Sequence, residues 1–221
     1  MKKTFLATIM VFMILALAGC GDGGSGSSPP PTFVTDILSD PAFDGDILKD
    51  PLTGAFTVTQ GNVQSVFAGI NPSSGAESRA FLLFPLAGVN GVPANAIIES
   101  AFLDITINNI IPQPLSGTIP VRIDLVSFQA ASLVGSDFSR TLQPSLATTT
   151  VVPPISQADF GRHVNIDVTP LMVEAQRLGL ANFQVRVLED LGIVTPGLIE
   201  INDTTGVNRR VLAPLLTVTY F

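Results

Sequence analysis

Ser100-Ala101-Phe102-Leu103-Asp104-Ile105-Thr106-Ile107 decides the fold class of this chain. Ala101, Leu103, Ile105 and Ile107 alternate with Ser100, Phe102, Asp104 and Thr106. A period of two puts one set on each face of a β-strand, whereas a helix needs a period near 3.6. The pattern recurs along the chain. Val121, Ile123 and Leu125 alternate with Arg122 and Asp124; Val164, Ile166 and Val168 alternate with His163, Asn165 and Asp167. Phe183, Val185 and Val187 alternate with Gln184 and Arg186, and Leu216, Val218 and Tyr220 with Thr217 and Thr219. Each reads as a half-buried strand, apolar inward and polar outward.

Less regular apolar runs at 55–60, 63–68, 80–86, 148–152 and 198–202 predict further strands. Seventeen prolines and nineteen glycines fall mostly between these runs and supply turns. Many short strands in one domain predict an all-β sandwich or barrel. One stretch reads as helix. Thr169 suits an N-cap, Pro170 the first helical position and Gly179 the end, with Leu171, Ala175 and Leu178 on one face.

The amino-terminal region has a different character. Lys2 and Lys3 precede sixteen uncharged residues, 4–19, too few for an ordinary membrane span and typical of a secretory leader. The leader ends in Leu17-Ala18-Gly19-Cys20, which resembles the lipobox of bacterial lipoprotein precursors at all four positions. That resemblance implies cleavage between Gly19 and Cys20 and a diacylglycerol on the Cys20 sulfur. The membrane is then a partner through lipid alone, and two or more acyl chains hold firmly where one does not. Gly21, rather than aspartate, follows the cysteine and points to outer-membrane sorting. Gly21–Pro31 reads as a flexible tether stiffened by three prolines.

Loss of the leader leaves nine basic against eighteen acidic residues, a net charge of −9. Such a surface repels phosphate backbones, so no nucleic-acid partner is expected. With the only cysteine acylated there is neither disulfide nor thiolate site. Asp44-Gly45-Asp46 has the oxygen spacing of a calcium turn and makes Asp44 and Asp46 candidate ligands. The twelve-residue calcium loop with its closing glutamate is absent, and aspartates also favour plain solvated turns. The expected cofactor is therefore none, with structural Ca2+ as the alternative.

Catalytic patterns are not found. His163 stands alone and shares a strand face with Asp167, but no G-x-S-x-G elbow supplies a nucleophile. Glu189 and Asp190 point to opposite faces, and Asp104 and Asp124 are expected to face solvent. The scarce cations Arg79, Arg186 and Arg209-Arg210 are expected to pair with carboxylates such as Asp104 or Glu189.

A set of segments carries a further resemblance. Arg79-Ala-Phe-Leu-Leu-Phe-Pro-Leu86, Ile98-Glu-Ser-Ala-Phe-Leu103 and Val164-Asn-Ile-Asp-Val-Thr169 come first. Phe183-Gln-Val-Arg186 and Leu215-Leu-Thr-Val-Thr-Tyr220 complete the series. Their order over roughly 55–221 resembles DNRLRE-type domains, jelly-roll sandwiches related to disaggregatase-associated and carbohydrate-binding-module families. The resemblance implies glycan binding. Sugar modules usually stack the ring on Trp or Tyr, yet this chain has no tryptophan, and its one tyrosine, Tyr220, falls on an inward face. Phe102 and Phe128, out of step with their strands' buried positions, are the candidate stacking residues.

The expectation is thus a jelly-roll-like β-sandwich with one short helix, behind a lipoprotein signal peptide and flexible linker. Its parts are signal peptide 1–19, lipidated Cys20 and tether 20–32, Asp-rich lead-in 33–54, and sandwich 55–221. The function expected is non-enzymatic glycan or matrix binding at the cell envelope. A structural or adhesive component contacting envelope proteins is the alternative, and a hydrolase a third.

Overall fold

The structure, a computed structural model, describes residues 30–88, 90–112, 117–190 and 196–221. The leader, Gly19 and Cys20 lie outside the described residues. From Thr32 to Phe221 the chain forms one compact unit. Its first six strands are β1 (Phe33–Leu38), β2 (Gly45–Lys49), β3 (Phe56–Gln60), β4 (Ser65–Ile70), β5 (Glu77–Pro85) and β6 (Ile98–Pro112). The others are β7 (Val121–Val126), β8 (Ala147–Thr150), β9 (His163–Asp167), β10 (Asn182–Glu189), β11 (Gly197–Asn202) and β12 (Leu215–Tyr220). Helix α1 (Thr169–Arg177) and the single turn α2 (Arg209–Leu212) complete the elements used below.

The strands pair antiparallel in the order β1-β12-β6-β11-β4-β5-β10-β7-β8, with β9 on β6 and the β2–β3 hairpin on β5. The fold is an all-β sandwich. One layer is β1, β12, the first part of β6, and β9; the other runs from the end of β6 through β11 to β8. β6 serves both layers because its fifteen residues outrun either one. It pairs with β12 up to Asp104 and with β11 from Ile107, and a register shift leaves Asn108 unpaired in the β11 ladder. An extra residue of this kind bends a strand. Asn108 is held there, accepting from Asn202 Nδ2 at 2.9 Å.

The main core lies between the layers. Leu103, Ile105 and Ile107 of β6 meet Leu82 and Phe84 of β5, Val185 and Val187 of β10, and Leu216 and Val218 of β12. Burying each such side chain contributes about 1.5–3 kcal/mol before entropy is counted. The inward set of the opening stretch is this core, as the alternation predicts.

The larger layer departs from the half-buried expectation. β5 and β10 are buried on both faces. Their second face carries another cluster, Ile47, Phe81, Leu83, Val126, Phe128, Leu133 and Phe138, supplied partly by β2 and by the segment 127–138. That cover encloses polar residues expected in solvent. Arg186 is 0% exposed and donates to Asp124 Oδ2 at 2.7 Å and to the Asp137 and Gln143 carbonyls at 2.9 and 3.1 Å. Asp124 therefore faces a guanidinium rather than water, and Arg140 Nε approaches it from the rim at 3.1 Å. Arg79 pairs with Glu77, stacks on the Phe138 ring at 3.9 Å and donates to the Phe138 carbonyl. The expected partners Asp104 and Glu189 serve neither arginine.

Residues 33–54, read as a lead-in, belong to the sheet. β1 pairs with β12 over six rows and β2 with β5 over five. Gly45 opens β2 rather than bending a calcium turn. A Cβ there would stand 2.2 Å from the Thr59 carbonyl oxygen of β3, so close strand approach is what requires glycine.

Helix α1 closes one end. Thr169 Oγ1 accepts from the Ala101 amide at 2.9 Å, tying its first turn to β6. Leu171, Met172 and Ala175 are its buried residues; Leu178, expected on that face, is exposed. Gly179, at φ +65°, ends it as expected, in the left-handed conformation that glycine adopts readily.

Candidate functional site

The outer face of the smaller layer is built from the polar half of the alternation. Directly opposed residues of paired strands share a face, and neighbouring strands lie about 4.8 Å apart. Asp36 of β1 opposes Thr217 of β12; Thr217 opposes Phe102 of β6, and Phe102 opposes Asp167 of β9. One row thus crosses four strands with an aromatic ring third in line. On one side lie Val34, Thr219 and Ser100; on the other Leu215, Asp104 and Asn165, then Thr106 and His163.

Phe102 is 38% exposed, so a flat apolar surface stands among short polar side chains. The neighbours are fixed. Thr217 Oγ1 donates to Asp36 Oδ1 at 2.7 Å, and His163 Nδ1 lies 2.8 Å from Asp104 Oδ1. Asp167 Oδ1 accepts from the Thr169 amide at 2.9 Å. The Thr169 hydroxyl and amide hold the Asp167 carboxyl below its ordinary range, so it is ionised on this face. His163 and Asp167 do share the face, but the histidine's carboxylate partner is Asp104 on the neighbouring strand.

Beyond Asp36 the face runs into a groove of about 550 Å³ along β1. Leu38, Pro85 and Leu215 make its apolar walls, and Asp36, Asn90 and Arg210 its polar ones. The two adjacent arginines differ in role. Arg209 turns inward to Asp203 at 3.5 Å and to the Thr204 and Ser39 carbonyls; Arg210 is exposed and makes no ion pair among the described residues.

Below lies a buried carboxyl pair, Asp44 and Asp203. Asp44 Oδ1 accepts from the Leu83 amide at 2.8 Å, while Oδ2 of each acid has no hydrogen-bond partner among the described residues. Burial first, and for Asp44 also the charge of Asp203, push both carboxyls well above the usual range. Asp46 is buried too. Its Oδ2 accepts from the Phe67 amide at 3.3 Å, and desolvation raises its pKa to about 6. Asp44 and Asp46, the candidate calcium ligands, thus each hold a strand amide. No group of three or more His, Cys, Asp or Glu side chains suited to a metal occurs among the described residues.

Glu189, buried and raised by desolvation to about 7, accepts from the Ile70 and Gly197 amides at 3.1 and 3.4 Å. Asp190 instead pairs with Arg122 at 2.8 Å. Glu189 and Asp190 point apart as expected, and Asp104 and Asp124 lie in different layers.

No protein family and no curated protein matches this chain.

The likeness to DNRLRE-type domains therefore rests on the quoted segments. Of the two stacking candidates only Phe102 reaches the surface. Phe128 is buried against Phe81, edge to face with centroids 5.4 Å apart, because the second cluster occupies the side of the sheet assumed to be wet. Asp36 and Thr217, which complete the row with Phe102 and Asp167, are not marked as site residues by the sequence. Thr217 carried a signal as an outward residue of a recognised strand, but only strand register sets it beside Phe102.

Proposed function

We propose that this protein is a lipid-anchored envelope protein whose sandwich binds a glycan on the outer face of its smaller layer. The row Asp36–Thr217–Phe102–Asp167 carries the reading. A phenyl face accepts the polarised C–H groups of a sugar ring, and carboxylates and hydroxyls in line with it accept and donate to ring hydroxyls. The Thr217–Asp36 hydrogen bond and the Thr169 amide donating to Asp167 hold them ready before a ligand arrives. The groove beyond Asp36 extends the surface along β1. The lipobox likeness at Leu17–Cys20 supplies the anchor, and the segment order that resembles carbohydrate-binding-module-like sandwiches supports the ligand class.

A glycan array followed by titration calorimetry, with and without calcium, tests the reading. Phe102→Ala should weaken binding about tenfold or more, since stacking of this kind carries about 0.5–1.5 kcal/mol beyond the burial of the ring. Its thermal midpoint should change little. Failure to bind any glycan in either condition, or full binding by the variant, overturns the proposal. Palmitate-analogue labelling that disappears in Cys20→Ala tests the anchor.

A second reading rests on β3. Among the described residues this strand pairs only with β2, and Phe56 and Val58 are exposed along it. An open strand edge with apolar side chains takes up a strand from another protein. Crosslinking from β3 that captures one envelope protein reproducibly, with no glycan bound, favours it.

A further inference from the structure

We infer that the end of the sandwich formed by Phe33, Ile97, Val173 and Phe221 lies against the lipid bilayer. The inference rests on the lipid anchor proposed above. Phe33, at the start of β1, is 52% exposed and stacks on Tyr220 with ring centroids 5.8 Å apart. Tyr220 pairs with Ile98 of β6, and the residues next along, Ile97 and Phe221, exchange backbone hydrogen bonds at 2.8 and 3.1 Å. Ile97 is 60% exposed and shares a shallow groove with Val173 of α1, itself 46% exposed. Four large apolar side chains thus sit uncovered where β1, β6, β12 and α1 come together. Contiguous patches of this kind mark interaction surfaces.

Charge supports lipid as the occupant. No Asp, Glu, Lys, Arg or His occurs in 27–35, 80–98 or 211–221, and β6 adds one exposed carboxylate, Glu99, directly after Ile98. In α1 the nearby Arg177 and Glu174 neutralise each other at 2.6 Å. A chain of net charge −9 after processing therefore presents an end at which Glu99 is the carboxylate beside the apolar side chains. Anionic headgroups repel this end less than the rest of the acidic surface.

Chain length adds the decisive constraint. Phe33 is the thirteenth residue after Cys20, with twelve between them. A chain of that length cannot span more than about 45 Å. The patch is thus the part of the sandwich held nearest the lipid surface, at a high effective concentration. Marginal apolar contacts suffice under those conditions.

The chain contains no tryptophan, so each substitution below installs a single reporter. Full-length lipidated Phe33→Trp is reconstituted into phosphatidylcholine vesicles whose acyl chains carry bromine, a contact quencher. Val173→Trp is a second reporter on the patch. Phe160→Trp replaces a side chain that is also exposed, beside the Gly161–Ile107 contact and roughly 30 Å along β6 from Ile98, and serves as the distant control. The expected result is loss of indole emission in the Phe33→Trp and Val173→Trp proteins, with the Phe160→Trp protein unaffected. Protein that floats with the vesicles but keeps both patch reporters as bright as the control overturns the apposition and leaves the anchor standing. Patch reporters shielded from aqueous iodide yet unquenched by bromine overturn it in favour of a second copy or another protein on this end. Protein that does not float at all overturns anchor and apposition together.

Discussion

Replacement of Asp124 by alanine removes the carboxylate that faces Arg186. The guanidinium is fully buried, and its remaining partners are the Asp137 and Gln143 carbonyls; its Nε has none among the described residues. Carbonyl dipoles do not neutralise a full charge. Breaking a buried pair by removing one partner costs about 3–5 kcal/mol, most of it the desolvation of the charge left behind. Arg140 adds little, because its side chain is over a third exposed and its pairing is screened by water. Burial already presses the Arg186 pKa downward, with Asp124 opposing it, so removal of Asp124 leaves the unfavourable contribution alone. A domain of this size shifts by about 2–4 °C per kcal/mol, which predicts a fall in Tm of about 6–20 °C. Thermal and urea unfolding followed by circular dichroism measure it. The double variant Asp124→Leu with Arg186→Met, which replaces the pair with apolar bulk, should recover most of the loss. A single variant within about 2 °C of the parent, or a double variant no better than the single, would refute this account of the buried layer.

Two further outcomes follow from buried groups. Asp46 and Glu189, raised to about 6 and about 7, and the Asp44–Asp203 pair, also raised, keep protons in the native state that the unfolded chain has released. Their contribution is complete in acid and is lost as pH climbs from the ordinary carboxyl range through those values. Asp50, Asp167 and Glu174 are lowered instead, so their contribution is present above the ordinary carboxyl range and is lost only as pH falls below it. The urea midpoint should therefore be higher at pH 5 than at pH 8, with a smaller difference in Asp44→Asn; a midpoint that rises with pH contradicts the burial argument. Gly69, at φ +113° opposite Leu198, leaves only 2.1 Å between a would-be Cβ and the Gly197 carbonyl oxygen. Gly69→Ala should cost about 1–3 kcal/mol or more in urea unfolding, and a neutral result would show that β4 and β11 can separate freely.

The strands carrying the main core were legible because burial on one face imposes alternation on the residues themselves. β1 and β2 were not. Asp36, Asp44 and Asp46 suggest turns, and nothing local reveals that two of them sit inside the protein as strand-amide acceptors. The second apolar cluster left one trace, the unbroken run Ala80–Phe84, which is what burial on both faces produces. Gln184, Arg186 and Asp124 concealed the rest, since their partners lie in a segment tens of residues away. At the candidate site, Phe102 was visible as an aromatic out of phase. Its row became visible only with the register of β12, β6 and β9.

The double membership of β6 also governs how the molecule comes apart. A sandwich of two independent sheets is able to lose one and keep the other for a time. Here the same backbone belongs to each, so stripping either sheet takes hydrogen bonds from a segment the other depends on. Amide protons of Phe102–Asp104 in β6, flanked by β12 on one side and β9 on the other, should be among the last to exchange, through openings as rare as complete unfolding. The two sheets share one fate.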